Sequence, residues 1–413
     1  MGWEVLQGDA RALPLADGSV DLIVTSPPYW GLRSYRDEGE HMAGQVGAEP
    51  TPMEYVEQLV AIIDSEWRRV LKPAGSLWLN LGDKYAGSGG GNDNTGLGFD
   101  RGEQSDELDN RGNPRRYPRS SSGVRPKSLL GLPWRVALAL IDRGWILRAE
   151  VIWSKPNGLP ESVTDRVRRS HEQWFHFTLS ERYFSAVDEI REPHAEVSVK
   201  RAAPHRAQTV QTHEDTETMD MSQALHTLGR LPGSVRTVPT QPLIIPDEVK
   251  TRLGLVDHFA AFPMEWPRWI IQGWSPQEVC TVCGEGRRPT VERTPMEWTP
   301  SSRQTGDQFI ETFKQLLGPR PTSGSMEKAP TATIVGYACA CPDTEAPSTP
   351  GVIVDPFGGT GTTAGVAHAL GRHGISVDLS ADYCRLAEWR IGESGHFDGI
   401  DNKQWASRQT QLL

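Results

Sequence analysis

Nowhere among the 413 residues is there an apolar run approaching the roughly 20 positions needed to cross a bilayer. The first residues also lack the basic-then-apolar pattern of a secretory leader, because Glu4 and Asp9 interrupt it. A cytoplasmic protein with no membrane partner is expected. Cysteine is scarce: five residues cannot frame a chain of this length with disulfides, and none of the five follows a proline. The proline-presented thiolate that attacks a pyrimidine ring at C5 is therefore lacking. No internal repeat is present. A positive charge balance is lacking too: 43 Lys and Arg against 53 Asp and Glu leave a net charge of −10, which does not advertise a nucleic-acid binder. The length suffices for one main domain with insertions.

The chain does contain two loops of unusual composition, each behind a short apolar run. Leu22-Ile23-Val24, opened by Asp21, is a β-branched run that reads as a buried strand, and Thr25-Ser26-Pro27-Pro28-Tyr29-Trp30 follows it directly. Each proline fixes its own φ, removes an N–H and holds the preceding residue extended. The loop is thus stiff, with a hydroxyl, outward carbonyls and an aromatic ring. Those groups suit a planar base with an exocyclic amine, whose lone pair is delocalised into the ring. The Ser26 oxygen and Pro27 carbonyl would accept the amine protons and localise that lone pair, while Tyr29 would stack on the base.

The second run, Val352-Ile353-Val354-Asp355, leads into Pro356-Phe357-Gly358-Gly359-Thr360-Gly361-Thr362-Thr363. A helix is expected from Ala364 to Leu370, stopped by Gly371, then a strand Ile375–Asp378 and a helix capped by Ser380. Strand, glycine loop, helix and acid-tipped strand make a nucleotide-type βαβ opening, with the Asp378 carboxylate suited to ribose hydroxyls. Gly359-x-Gly361-x-x-Ala364 also fits a dinucleotide fingerprint, so a nicotinamide-dependent oxidoreductase stands as a rival reading.

Taken together and in this order, the two loops resemble those of the amino-group DNA methyltransferases of the permuted β class, which act on cytosine N4 or adenine N6. That resemblance implies S-adenosylmethionine as methyl donor, held by the element at Phe357, Gly359 and Gly361, with Asp355 at the methionine end and Asp378 at the ribose. It further implies that Asp9, in Gln7-Gly8-Asp9-Ala10, reads the cofactor's adenine. Phe262, in His258-Phe259-Ala260-Ala261-Phe262-Pro263, would pack beside the methionine moiety. Similar segments run through Leu71–Asp83 and Ile152–Asn157. Ser26 in place of an acid leans toward cytosine N4, with adenine N6 as the alternative. Methyl transfer to an exocyclic nitrogen needs no covalent enzyme intermediate, only positioning and charge complementarity. An RNA-base or protein-amide methyltransferase, or a DNA-binding module without catalysis, would use parts of the same equipment.

Double-stranded DNA is the expected partner. Arg111, Arg115, Arg116, Arg119, Arg125, Lys127 and Arg135 occur between Asn110 and Arg135 with no Asp or Glu, a basic arm fit to neutralise phosphates. A partner restriction nuclease leaves no mark in this chain. Cys280-x-x-Cys283 and Cys339-x-Cys341 are two close pairs that would supply four tetrahedral ligands to a structural zinc, whereas Cys384 is expected simply to be packed.

The fold expected is α/β: a Rossmann-like S-adenosylmethionine-dependent methyltransferase with a mostly parallel sheet and permuted motif order. Residues 1–190 would form its catalytic part, with a basic insert at about 86–128, and 191–245 a target-recognition insert. Residues 246–279 would return to the core, 280–341 form the Cys-pair insert, and 342–413 the cofactor-binding part. Glu172–Ser180 and Tyr183–Val187 read as a strand pair in which Trp174 and Phe175 are core residues. His171-Glu172 reads as a strand-edge pair, with the orienting of a catalytic group as the alternative, and Lys155 and Asn157 as either an ordinary turn or a contact to DNA.

Overall fold

Backbone N–H and C=O groups in an apolar strand must find partners on neighbouring strands, and here eight strands do so in one sheet. In chain order they are β1 (Trp3–Gln7), β2 (Val20–Thr25), β3 (Leu71–Leu81), β4 (Ile146–Ser154), β5 (His171–Thr178), β6 (Val235–Thr237), β7 (Val352–Asp355) and β8 (His373–Asp378). The structure is a computed structural model and describes residues 2–31, 36–37, 40–41, 44–86, 124–125, 127–158, 160–195, 197–198, 226–255, 261–293, 297–300, 324–328, 332–343 and 345–400. Two units are distinguished. Met1–Ala186, Gly233–Arg287 and Cys339–Leu413 form the first, which carries the sheet; Val187–Pro232 and Arg288–Ala338 form the second.

The spatial order is β1-β8-β7-β2-β3-β5-β4-β6. All neighbours run parallel except β5, which is antiparallel to both β3 and β4. β7 stands between β8, its successor in the chain, and β2, from the opposite end of the chain. In an open α/β sheet the crevice beyond the carboxyl ends of strands, at such a reversal of order, is where ligands sit.

Among the described residues the longer helices of this unit are α1 (Pro52–Ile62), α2 (Leu132–Asp142), α3 (Asp247–Leu253), α4 (Glu265–Trp274), α5 (Thr362–Ala369) and α6 (Ala381–Gly392). Thr51 and Glu54 cap α1 reciprocally, and the chain continues through a π-helical turn at Ile63–Trp67 to Val70. Strand alternation assigns the two faces of β5. Phe175 and Phe177 join Leu77, Leu79, Leu59, Ile63, Val136 and Leu140 in the main core, with Trp134 and Trp145 edge-on to the two phenylalanines. On the other face Trp174 and His176 meet Trp78 and the α4 residues Trp266 and Trp274. Burial on both faces explains why the strand is aromatic throughout. Trp174 and Phe175 are fully buried core residues.

Tyr183–Val187 is not a strand: β5 finds its partners in β3 and β4, and the Phe184 N–H instead donates to Ala74 O. In the second unit Arg288–Arg293 pairs antiparallel with Ala332–Ala338 across a bulge at Thr290/Val291, and Glu297–Pro300 with Gly324–Lys328. Glu192 and Arg230 join its other segment by a bridge and an ion pair of 2.8 Å.

Candidate active site

β2 and β7 are parallel neighbours in register, Leu22 beside Ile353 and Ile23 beside Val354, so both polar loops leave from one edge. The strands are only about 4.8 Å apart at that point. A side-chain bond ties the loops across this gap: Thr363 Oγ1, at the start of α5, lies 3.3 Å from the Val24 carbonyl. Ser26 and Asp355, separated by most of the chain, therefore stand at adjacent strand tips.

In the first loop Pro27 is buried, while Ser26, Pro28 and Tyr29 are partly exposed. Tyr55 OH donates to the Pro28 carbonyl at 3.0 Å, and Trp30 Nε1 to Glu49 O at 2.8 Å, anchoring the turn from α1 and the segment before it. The Tyr29 ring lies on Gly82, where an added Cβ would come within 2.5 Å of its Cε2. Its hydroxyl sits 2.8 Å from Asn80 Oδ1 and 2.9 Å from Glu172 Oε2, and Ser26 Oγ lies 3.2 Å from the same Asn80 oxygen. Burial, reinforced by the Glu172 charge, raises the Tyr29 phenol well above the ordinary tyrosine range, so it remains a protonated donor. Asn80 is oriented by its Nδ2, which donates to Gln173 O at 3.0 Å. Glu172 is also ion-paired with Lys155, whose ammonium lies 4.1 Å from the Trp153 ring centroid.

The antiparallel strand explains this convergence. β5 enters the sheet at the edge where the parallel strands leave it, with Leu81 opposite Gln173 and Ser154 opposite His171. Glu172, at the beginning of β5, thereby meets Lys155, just beyond the end of β4, and Asn80, near the end of β3. From sequence alone Glu172 reads first as a strand-edge residue and Lys155 as part of a turn, and Asn80 carries no separate role. Signals were present: an Asn inside the buried run Leu77-Trp78-Leu79-Asn80-Leu81, and an acid opening an aromatic strand.

In the second loop Asp355 is 1% exposed. Its Oδ1 accepts from Phe357 N at 3.2 Å and its Oδ2 from Thr363 Oγ1 at 2.8 Å, while burial lifts its carboxyl to about 6. Pro356 is buried, and Phe357 packs edge-on to Trp67 at 5.9 Å. Gly358 is pressed against β8, and Gly359 and Gly361 adopt φ of 51° and 73°, a backbone that favours glycine. Asp378 Oδ2 accepts from Gly359 N at 2.8 Å and its Oδ1 from Ser380 N at 2.9 Å, coupling the β8 tip to the loop. Thr360 and Thr362 turn their hydroxyls inward to the Arg390 guanidinium of α6, at 2.8 and 2.6 Å. The hydroxyls of Thr360, Thr362 and Thr363 thus serve the loop's interior.

Asp9 lies just past the tip of β1, beside β8, where Gly8 N donates to Asp378 O at 2.9 Å. Arg11 holds it in a 2.7 Å ion pair and keeps its carboxyl below the usual range. Phe262 packs edge-on to Trp174 at 5.8 Å; His258, Phe259 and Ala260 of its motif lie outside the described residues. So do Arg111, Arg115, Arg116 and Arg119 of the basic arm and most of the expected recognition insert. Arg135 is described and belongs to α2, its Nε donating to Leu130 O at 2.8 Å.

The cysteine pairs come together. The sulfur atoms of Cys280, Cys283 and Cys341 all lie within 4.8 Å of one another, and Cys339 adds a side-chain hydrogen bond to Cys280. Backbone N–H groups of Cys283 and Val282 point at the Cys280 sulfur and lower its thiol to about 7. Gly284, at φ 73°, closes this turn with its N–H 2.9 Å from Cys280 O. All four residues belong to the first unit, at the points where the chain departs to and returns from Arg288–Ala338. Cys384 is buried in α6.

Residues 20–279 and 346–389 match the N6/N4 family model described as DNA methylase, which is most of the chain. The chain belongs to this DNA methylase family. Among curated relatives, the Type II methyltransferase M.XycI of Xanthomonas campestris pv. cyanopsidis is 44% identical over 200 residues, 46% of this chain and 59% of that protein. The Type II methyltransferase M.SmaI of Serratia marcescens is 41% identical over 193 residues, 46% of this chain and 60% of that protein. The matches thus span about three fifths of those relatives' length. The solved PvuII DNA methyltransferase (cytosine-N4-specific) aligns with 100% of this chain and 93% of its own, at 14% identity and a TM-score of 0.48. The family match removes the nicotinamide-dependent reading of the glycine loop. Among the described residues no helix is long and apolar enough to cross a membrane.

Proposed function

We propose that this methylase-family chain transfers a methyl group from S-adenosylmethionine to the exocyclic N4 of a cytosine turned out of double-stranded DNA. The observation that carries the reading is the pairing of β2 with β7, which sets Ser26-Pro27-Pro28-Tyr29 beside the Asp355–Thr363 loop at one sheet edge. The site suits the cofactor: a glycine loop held by Asp355, buried at its base, and by Asp378, with Asp9 at the neighbouring strand tip. When bound, S-adenosylmethionine supplies an electrophilic methyl group on a sulfonium.

The chain's own residues do the rest. Ser26 Oγ and the Pro27 carbonyl accept the amine's protons and localise its lone pair; the held geometry replaces an encounter in solution. Pro27 and Pro28 keep those acceptors from collapsing onto each other. Tyr29, its hydroxyl tethered to Asn80 and Glu172, keeps one ring face against Gly82 and offers the other to the base. Asp378 and Asp9 address the ribose and adenine of the cofactor, and Phe262 the apolar wall near its methionine. The neutral Ser26 favours cytosine; nothing in Asn80, its neighbour, supplies a stronger acceptor in its place.

The test is methylation of unmodified duplex DNA with labelled S-adenosylmethionine, followed by nucleoside analysis. N4-methylcytosine is expected. N6-methyladenine would move the reaction to the other amino-bearing base, and label appearing only in RNA or protein would overturn the DNA reading. The four cysteines are proposed to hold one structural zinc: the sulfurs of Cys280, Cys283 and Cys341 already lie within 4.8 Å of one another, and Cys339 hydrogen-bonds to Cys280. Elemental analysis of the purified protein should find one zinc per chain.

A further inference from the structure

The oxygens under the Pro-Pro-Tyr loop make four close contacts and hold only two hydroxyl protons. Tyr29 Oη stands 2.8 Å from Asn80 Oδ1 and 2.9 Å from Glu172 Oε2, and Ser26 Oγ stands 3.3 Å from Tyr29 and 3.2 Å from Asn80. Oxygens this close need a proton between them. The carboxylate and the amide oxygen supply none, and the amide cannot flip, because Asn80 Nδ2 is held by Gln173 O. Two hydroxyl protons serve Tyr29–Glu172 and Ser26–Asn80, which leaves the 2.8 Å Tyr29–Asn80 contact and the longer Ser26–Tyr29 one bare. One added proton on Glu172 fills the shortest of them: Glu172 then donates to Tyr29 and Tyr29 to Asn80, while Ser26 has one proton for its two longer contacts at 3.2 and 3.3 Å.

Resting on the amino-methylation reading above, we propose that Glu172 receives the proton released by methyl transfer, through Ser26 and Tyr29. The amine nitrogen forms its bond to the methyl carbon while the methyl–sulfur bond breaks and its electron pair stays on sulfur. The nitrogen, now carrying one proton too many, passes it to Ser26 Oγ; Ser26 passes its own to Tyr29 Oη, and Tyr29 its own to Glu172 Oε2. Serine and tyrosine end as they began, the product amine is neutral, and the glutamate is a carboxylic acid. Glu172, with 18% of its side chain exposed, then loses the proton to solvent. Lys155 forms an ion pair with Glu172. Its contact with the Trp153 ring gives the ammonium a second partner once the carboxylate is neutral. Glu172 acts through Tyr29 and not on the base, so its signature is in proton transfer.

The experiment measures single-turnover methylation of duplex DNA from pH 5 to 9 for the wild type, Glu172→Gln, Glu172→Asp and Lys155→Met, with calorimetric affinity for S-adenosylmethionine in parallel. The wild-type rate should fall on the acid side. Glu172→Gln should lower the plateau by roughly 10²–10³-fold and abolish that acid limb, with cofactor affinity within about twofold of wild type. Glu172→Asp should recover part of the rate, and Lys155→Met should shift the acid limb to higher pH, since the carboxylate loses its counter-ion. Wild-type rate and pH profile in Glu172→Gln would overturn the relay while leaving the proposed function intact. Equal losses of rate and cofactor affinity would also overturn it, by assigning Glu172 a purely structural part. Absence of any methylated nucleoside with the wild type would end both readings.

Discussion

At Gly358 an added Cβ would lie 1.9 Å from Ser376 Oγ, so the glycine loop is shaped by a contact that no other side chain permits. Gly358→Ala is expected to lower cofactor affinity at least tenfold and to cost about 1–3 kcal/mol of stability, as overpacking does. Adding Ser376→Gly should restore much of both, because Ser376 Oγ is buried without a hydrogen-bond partner and little is lost with it. Denaturant midpoints and calorimetric titration of the three variants check this. A second residue-scale effect lies at His176, stacked on Trp78 at 4.7 Å, with Nε2 3.0 Å from Ser76 Oγ. Burial depresses its imidazole to about 3. The stability this neutral histidine brings is fully present above its ordinary value of 6.5 and is lost as pH falls toward 3, at about 1.4 kcal/mol per pH unit. Asp355, raised to about 6, works in the opposite sense, losing its contribution as pH rises through that value. The difference between wild type and His176→Phe isolates the histidine: the variant should lose less stability between pH 6.5 and 5 in urea denaturation.

Among elements, α6 supports the glycine loop from behind. Arg390 Nη1 donates to Thr360 O and to the hydroxyls of Thr360 and Thr362, and burial lowers its guanidinium to about 10, still charged at neutral pH. Arg390→Met should leave those oxygens without their donor, costing about 2–4 kcal/mol by denaturant unfolding and weakening cofactor binding with it. Most elements at this scale were legible from period and punctuation: β2 and β7 from β-branched runs, α6 from Ser380, whose side chain does accept from Tyr383 N. The antiparallel β5 was legible as a strand, but its partners were not. Strand pairing is non-local, and Glu172-Gln173-Trp174-Phe175 carries nothing that names β3 and β4 over the nearer Tyr183–Val187. That is why Glu172 looked peripheral, although its chemistry is central to the proposed site.

On the scale of the whole molecule, a net charge of −10 repels DNA, so binding must rest on local positive charge. Replacing Arg111, Arg115, Arg116 and Arg119 by Gln should reduce the slope of log affinity against log salt by roughly 0.9 for each arginine that meets a phosphate, with cofactor affinity unchanged. Fluorescence anisotropy with duplex DNA at several salt concentrations reads this directly. The cysteine cluster also acts at this scale, at the two ends of the Arg288–Ala338 excursion. Chelation of the proposed zinc should lower the thermal midpoint and expose the chain near Thr281 and Pro342 to protease, and added zinc should reverse both.

Local chemistry was written into the chain at short range. Stiff Pro27-Pro28, the permissive glycines after Asp355 and the apolar runs before both loops depend on residues adjacent in sequence, so their character needs no partner to be read. Proximity is a different matter. That Ser26 shares a sheet edge with Asp355, that β5 and β3 bring Glu172 and Asn80 to the Tyr29 hydroxyl, and that Cys280 meets Cys341 all follow from pairings between distant segments. Such pairings are selected by burial of the whole sheet, because no single strand can satisfy its backbone or cover its apolar face alone.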